Sequence, residues 1–477
     1  MSEKCSCPMS RRRFLGLAGG TVACCALLPL AESVFAAEPV SRTPIFPKSN
    51  AKVTLVFSHI PSGSPTWPTK DYDYDSRAKE LAAKLQSACP KIDFTVKTAL
   101  NAGEADAIVK ASPDADGFMV WCLGLWTGAA NVIMRSGKPV VLVDDLYAGS
   151  GEVLVMQPII RNEKLPVITV SSSEIKDVAD AANLFTVMRS MRETVILDVF
   201  DGDPTPAANM LKTNYGVTLL QMKSPELASY YDLSDEHEAA QWADLWSKNA
   251  KKVVEPTRDE LIKSGKMYLA LSRAARDKKA DAVTMDCLGM FYSGRVTAYP
   301  CLSHFQMNND GSTGVCESDL NSTCTQLMMR YLTGRPGYVS DPVIDTSKNE
   351  IIYAHCVSTN RVFGPKGEPN PYIIRSHAED GKGASVQSLM PANQDVTTLE
   401  VDMGSKHMVI HSARTVRNVD DPKACRTKLA AKTNAENILR NWDMGWHRVT
   451  VYGDYRKQCL NLARFYGFAV SEEDKAG

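Results

Sequence analysis

CLGMFYSGRVTAYPCLSHFQMNNDGSTGVCESDLNS at residues 287–322 is followed closely by GRPGYVSDP at 334–342 and YAHC at 353–356. In these segments Glu317 and Asp341 each end an expected strand or turn, and His355 follows soon after. Carboxylates and imidazoles gathered beside small residues are the ligand types of a divalent metal site. We therefore take this run as the candidate reaction centre. A helix within the run is expected to begin at Glu317.

Before this run, buried strands alternate with amphipathic helices. AKVTLVFSH at 51–59 and KPVVLVDD at 138–145 predict strands, whereas DSRAKELAAKLQSA at 75–88 predicts a helix. Strands that alternate with helices indicate a parallel sheet with helical crossovers. A second unit of the same kind is predicted to start with ETVILDVF at 193–200.

After Pro336 the pattern changes to short strands separated by turns, which is typical of a barrel. The segments are EIIYAHC at 350–356, YIIRSHA at 372–378, SVQSLM at 385–390, VTTLEVDM at 396–403 and KHMVIHSARTV at 406–416. The fold class predicted is therefore α/β, with two Rossmann-like parallel-sheet domains followed by a β-barrel-type C-terminal domain. The predicted domain limits are residues 37–168, 169–335 and 336–477, the last closing with a strand and a helix.

The N-terminal residues 1–36 are predicted to be an export signal. SRRRFLGLAGG at 10–20 combines consecutive arginines with an apolar run, and small residues precede Ala37. This pattern favours a twin-arginine signal peptide, with an ordinary secretory signal as the alternative. Because the twin-arginine translocase carries folded proteins, the expected location is periplasmic or otherwise extracytoplasmic, with the metal installed before export.

Composition argues against several classes of partner. The net charge is −1, and no basic stripe or polybasic tail appears, so neither nucleic acid nor a stable membrane anchor is expected. Four of the 13 cysteines fall in the predicted signal, and the remaining nine are odd in number and irregularly spaced. Buried free thiols are therefore expected rather than a disulfide framework.

The segments quoted above, together with GWHRVTVYGD at 445–454, resemble the L-fucose isomerase and L-arabinose isomerase superfamily. The resemblance spans most of the chain after the signal. It implies an enzyme that interconverts aldoses and ketoses at a divalent site, usually manganese, and that assembles as a homo-oligomer. The chain looks like a divergent, exported branch, so the sugar itself stays open.

The resemblance also implies roles for particular residues. Glu317 at the CES position, Asp341 about two dozen positions later and His447 before the closing strand match the metal ligands. His355 resembles an additional histidine ligand of the arabinose isomerase branch. Glu317 and Asp341 are expected to act as the catalytic acid and base as well, because isomerisation moves a proton between C1 and C2 through an enediol.

Four further residues are candidates for contacts with the sugar: Arg295, Tyr299, His377 and Trp126. Two other functions stay open at this point. The same enediol chemistry serves an epimerase or a lyase, and a secreted carbohydrate-binding protein would keep the fold without catalysis. Stoichiometric metal and solvent exchange of the sugar C2 hydrogen would separate these alternatives.

Overall fold

The structure is a computed structural model that describes residues 42–63 and 66–476. The predicted signal peptide at residues 1–36 lies outside the described residues. Within the described part, no helix is both long and apolar enough to cross a membrane.

The three central strands of the first sheet are largely apolar and buried, as expected for parallel strands covered on both faces. Its order is β2-β1-β3-β4-β5 and every pairing is parallel. The strands are β1 Ala51–Ser58, β2 Ile92–Ala99, β3 Gly117–Cys122, β4 Val140–Asp144 and β5 Val167–Ser171. The helices of this region are α1 Tyr74–Ala88, α2 Ala102–Lys110, α3 Ala129–Met134, α4 Ser150–Asn162, α5 Ile175–Ala182 and α6 Leu184–Arg192.

The second sheet is also parallel, with the order β10-β9-β6-β7. The strands of this region are β6 Val195–Val199, β7 Thr218–Met222, the short β8 Lys252–Val253, β9 Ala282–Met285 and β10 Thr313–Cys316. The helices are α7 Thr205–Tyr215, α8 Ser224–Asp232, α9 Glu236–Asn249, α10 Arg258–Asp277, α11 Cys287–Tyr292, α12 Cys301–Asp310 and α13 Leu320–Thr333. The helix predicted to begin at Glu317 thus begins at Leu320, because Asp319 accepts the Ser322 backbone N–H and caps it.

The C-terminal region forms a closed antiparallel barrel. The strands are β11 Tyr338–Asp345, β12 Glu350–His355, β13 Tyr372–Arg375, β14 Ser385–Ser388, β15 Asp395–Asp402, β16 His407–Asn418, β17 Thr427–Lys432, β18 Arg448–Tyr452 and β19 Ala469–Glu472. Two helices, α14 Ala435–Arg440 and α15 Arg456–Tyr466, accompany them. Around the barrel the order is β15-β18-β11-β12-β17-β16, and β16 pairs again with β15. Closure removes free strand edges, and the predicted fold class is confirmed.

Outside the closed ring, β19 pairs parallel with β16, and β8, β13 and β14 form a small separate sheet. One apolar core joins the larger elements. It contains Leu55 of β1, Ile196 of β6, Leu327 of α13 and Val449 of β18. Because α13 packs into this core, the loop between β10 and α13 is held against the end of the barrel. The predicted domain limits at residues 168 and 335 stay predictions.

Candidate active site

Four residues far apart in the chain meet at the end of the barrel. His447 Nε2 lies 3.0 Å from Asp341 Oδ1 and 3.7 Å from Glu317 Oε2. His355 Nε2 lies 3.7 Å from Glu317 Oε1 and 3.9 Å from Asp341 Oδ2. We call Glu317, Asp341, His355 and His447 the carboxylate–imidazole cluster.

The barrel register explains three of these positions. Ser340 of β11 pairs with Arg448 of β18, so the next residue of β11, Asp341, lies across from the residue before β18, His447. Asp341 also pairs with Ala354 of β12, so His355, the next residue and the last of that strand, lies close to it at the same end of the barrel. Asp341 therefore lies inside a strand, whereas the sequence pattern predicted that it would end one.

Glu317 reaches the same place by an unusual backbone turn. Glu317 has φ 68° and Ser318 has φ 50°, the left-handed region that side chains with a Cβ rarely adopt. Such a conformation costs about 1–2 kcal/mol per residue and often marks a functional segment. The turn leaves the carboxyl end of β10 and carries the Glu317 carboxylate to the barrel strands.

Asp319 orients His447. Its Oδ2 accepts the His447 Nδ1–H at 2.7 Å, while its Oδ1 accepts the Ser322 N–H at 3.0 Å. A carboxylate that accepts one ring N–H is the usual partner of a metal-binding histidine, because it fixes the ring with the other nitrogen toward the metal. Without a metal His447 Nε2 also carries a proton and donates to Asp341, and a metal ion would replace that proton. Sequence reasoning missed Asp319, although it stands two residues after Glu317 and in a helix-capping position.

The cluster favours positive charge at its centre. Burial alone disfavours a charged His447, but hydrogen bonds to Asp319 and Asp341, and their charges, raise its pKa to about 11. Burial raises the pKa of Glu317, and the negative charges of Asp341 and Asp319 add to that effect. For Asp341 burial works in the same direction, but the hydrogen bond from His447 and the electrostatic interactions with His355 and His447 outweigh it, and the pKa of Asp341 is lowered.

The donor set fits a small divalent cation. Ligand atoms about 2.1 Å from an octahedral cation lie about 3 Å apart when they are adjacent. The distance between His447 Nε2 and Asp341 Oδ1 equals this spacing, and Glu317 needs only a small side-chain rotation. Two carboxylates and one imidazole suit manganese and similar ions. Glu317, Asp341 and His447 are therefore the residues that would hold a metal.

His355 differs from the other three. Its Nδ1 accepts the Val357 backbone N–H at 3.2 Å, so in this hydrogen-bond network the neutral ring carries its proton on Nε2. That Nε2 faces Glu317 and Asp341 and has no hydrogen-bond partner among the described residues. Burial lowers the pKa of His355 to about 4, which keeps the ring neutral. In this tautomer His355 is a donor toward the carboxylates.

The chain is similar to two known proteins over about a third of its length. No family model matches the chain. Two curated proteins named sulfoquinovose isomerase, from Priestia aryabhattai and Priestia megaterium (strain ATCC 12872 / QMB1551), are each 28% identical to it over 183 residues. The chain is similar to sugar isomerases. The match covers 36% of this chain and 40% of each relative, and it does not confirm the narrower resemblance to L-fucose and L-arabinose isomerases.

Two of the residues predicted to contact a sugar form a buried stacked pair. His377 stacks on Tyr299, with ring centroids 4.4 Å apart. The Tyr299 hydroxyl donates to Asp380 Oδ2 at 2.9 Å. The electrostatic influence of His377 reaches His355, whose pKa it lowers.

The other two predicted sugar contacts are engaged elsewhere. The Arg295 guanidinium forms an ion pair with Asp201 on the second sheet. Trp126 follows β3 of the first sheet, and its backbone N–H donates to Glu152 Oε2 at 2.7 Å. Trp126 is 67% exposed and lies at the surface. It takes no part in the contacts among the four residues of the carboxylate–imidazole cluster.

Proposed function

We propose that this protein is a divalent-metal-dependent aldose–ketose isomerase. The observation that carries the proposal is the meeting of Glu317, Asp341 and His447 from a β10–α13 turn, β11 and the residue before β18. The similarity to proteins named sulfoquinovose isomerase supports sugar isomerisation as the reaction class. An epimerase would use the same groups, but no observation favours it over an isomerase.

The reaction needs a proton to move between C1 and C2. The Glu317 side chain is 34% exposed, so its carboxylate is open to a sugar and is the group proposed to take the C2 proton. Asp341 is more covered, at 16%, and is proposed to deliver to C1 a proton drawn from solvent, while the C2 proton held by Glu317 is released to solvent. A divalent cation held by these two residues and His447, proposed to be Mn²⁺, would stabilise negative charge on the two sugar oxygens.

We propose the substrate class from the names of the relatives, and sulfoquinovose and similar hexose derivatives are the first compounds to assay. His377 Nδ1 has no hydrogen-bond partner among the described residues, and we propose that it binds a sugar hydroxyl. Tyr299, stacked between Phe291 and His377, is proposed to hold the imidazole in place. Loss of His377 or Tyr299 is expected to raise KM more than it lowers kcat.

Export and assembly are part of the same proposal. A twin-arginine signal in residues 1–36 would deliver the folded enzyme outside the cytoplasm. Replacement of Arg11 and Arg12 by lysine should therefore keep the enzyme in the cytoplasm. A homo-oligomer is proposed, and sedimentation at catalytic concentrations measures it. An active, strictly monomeric protein would contradict that part.

The deciding experiment is Glu317→Gln, which keeps the shape of the side chain but removes the base. Exchange of the C2 hydrogen of candidate sugars with deuterium from solvent is measured in the presence of Mn²⁺. The variant is expected to lose exchange while keeping its unfolding temperature, and Glu368→Gln, an exposed glutamate, serves as the control. Wild-type exchange rates in Glu317→Gln would overturn the mechanism.

A further inference from the structure

Directly behind the carboxylate–imidazole cluster lies a group of cysteine thiols. The nine cysteines of the described residues are free, and five of them form one group connected through Cys316 and Cys356. Cys316 contacts Cys287 and Cys356, and Cys356 also contacts Cys301 and Cys425. The members are Cys287, Cys301, Cys316, Cys356 and Cys425, which we call the thiol cluster.

His355 connects the two clusters. Its Nε2 faces Glu317 and Asp341, whereas its Nδ1 lies 3.7 Å from Cys356 Sγ. In the tautomer described above, Nδ1 is the nitrogen with the lone pair, which accepts the Val357 N–H. The ring therefore turns its donor side to the carboxylates and its ligand side to the sulfur atoms.

We infer a second metal site, formed by Cys316, Cys356 and His355, that takes a thiophilic ion such as Zn²⁺, Cd²⁺ or Cu⁺. The ligand atoms of these three residues all lie within 4.8 Å of one another. Thiolates about 2.3 Å from a tetrahedral zinc ion lie about 3.8 Å apart, so the sulfur and nitrogen atoms need to close by about 1 Å at most. His355 Nδ1 must exchange its hydrogen bond from Val357 for the metal.

The surroundings suit such an ion better than manganese. All three residues are at least 95% buried, and thiolate ligands select soft or borderline ions over hard ones. Binding releases two thiol protons, so a divalent ion with two thiolates adds no net charge to this buried place. A fourth ligand is available from Cys287, Cys301 or Cys425, which contact the first two sulfur atoms.

The two sites share His355, so they are expected to be coupled. The Cys425 thiol also lies 3.8 Å from Asp341 Oδ2, which gives a second contact between them. A thiophilic ion that draws His355 toward the sulfur atoms moves a donor away from Glu317 and Asp341. Occupancy of the thiol site should therefore lower the activity of the neighbouring site without displacing its metal.

The test is a titration of the full reduced chain with Cd²⁺, followed by its sulfur-to-cadmium charge-transfer absorption in the ultraviolet. One equivalent should produce the band in the wild-type protein. Cys316→Ala and Cys356→Ala should lose it, whereas Cys459→Ala, an equally buried cysteine outside the cluster, should keep it. No band in the wild-type protein, or a band that survives both cluster variants, would overturn the inference.

Glu317→Gln separates this inference from the proposed function. That variant lacks a ligand of the first site but leaves all three ligands of the second unchanged. It is expected to bind Cd²⁺ with the wild-type band while it loses Mn²⁺ binding. If Mn²⁺ and isomerase activity are absent from the wild-type protein but the cadmium band is present, the proposed function fails and the thiol site stands.

Discussion

Replacement of Asp319 by asparagine tests whether His447 is oriented for metal binding. In the wild-type protein Asp319 Oδ2 accepts the His447 Nδ1–H, which directs Nε2 at Asp341 and the centre of the cluster. A bound metal ion would replace the Nε2 proton and leave the ring with its only proton on Nδ1. An asparagine amide nitrogen in place of Oδ2 donates instead of accepting, so this metal-binding form of the ring loses its acceptor.

The expected magnitude follows from this one contact. Loss of such an outer partner typically weakens metal affinity about 10–100-fold, which is about 1.4–2.8 kcal/mol. The helix cap should survive, because Oδ1 accepts the Ser322 N–H and asparagine caps as well as aspartate does. The variant should therefore fold and still bind Mn²⁺ weakly.

Calorimetric titration with Mn²⁺ measures the affinity, and thermal unfolding reports the fold. Asp73→Asn is the matched control, because Asp73 caps α1 through the Ser76 N–H in the same way but is hydrogen-bonded to no histidine. The control should bind Mn²⁺ like the wild-type protein. If Asp319→Asn also binds Mn²⁺ with unchanged affinity, the assigned orientation of His447 is wrong.

Three further predictions concern stability. Glu473→Gln should cost about 3–5 kcal/mol in chemical denaturation, because it leaves the fully buried Arg448 guanidinium without its anion; a loss under about 1 kcal/mol would contradict this. Burial raises the pKa of Glu473, but hydrogen bonds from His411 and Arg448 outweigh burial, so the pKa is lowered. The stabilisation is therefore present above the unfolded pKa and lost as pH falls through the folded one, and unfolding measured from pH 7 downward should show a steeper loss in the wild-type protein than in the variant. Gly149→Ala should destabilise by about 1–3 kcal/mol, because its Cβ would lie 2.2 Å from a backbone oxygen, whereas a similar melting temperature for this variant and the wild-type protein would refute the clash.

Local patterns in the chain were enough to predict the fold class. The runs that became β1 and β4 are continuous apolar strands, and the short strands after Pro336 alternate as barrel strands do. These patterns depend on side-chain periods of two and 3.6 residues, which a sequence displays directly. Strands β5, β7, β8, β17 and β19 were not predicted, β8 because two residues carry too little pattern to be recognised.

The chemistry of the site could be predicted only in part from the sequence. Residue types and a family resemblance singled out Glu317, Asp341, His355 and His447, and the structure brings all four together. The expectation that Glu317 begins a helix was wrong. The carboxylate instead stands on a left-handed turn, a conformation that its own residue type disfavours and that the packed elements on both sides impose.

Residue types, element types and their order were therefore set by local sequence, because they depend on neighbours within one or two turns of chain. Tertiary structure alone decided that β11 pairs with β18, which puts Asp341 beside His447 across about a hundred residues. It alone decided that Asp319 holds the His447 ring, and that His355 lies between the carboxylates and the thiol cluster. Strand pairing and core packing join positions distant in the chain, and no local pattern records which distant positions will meet.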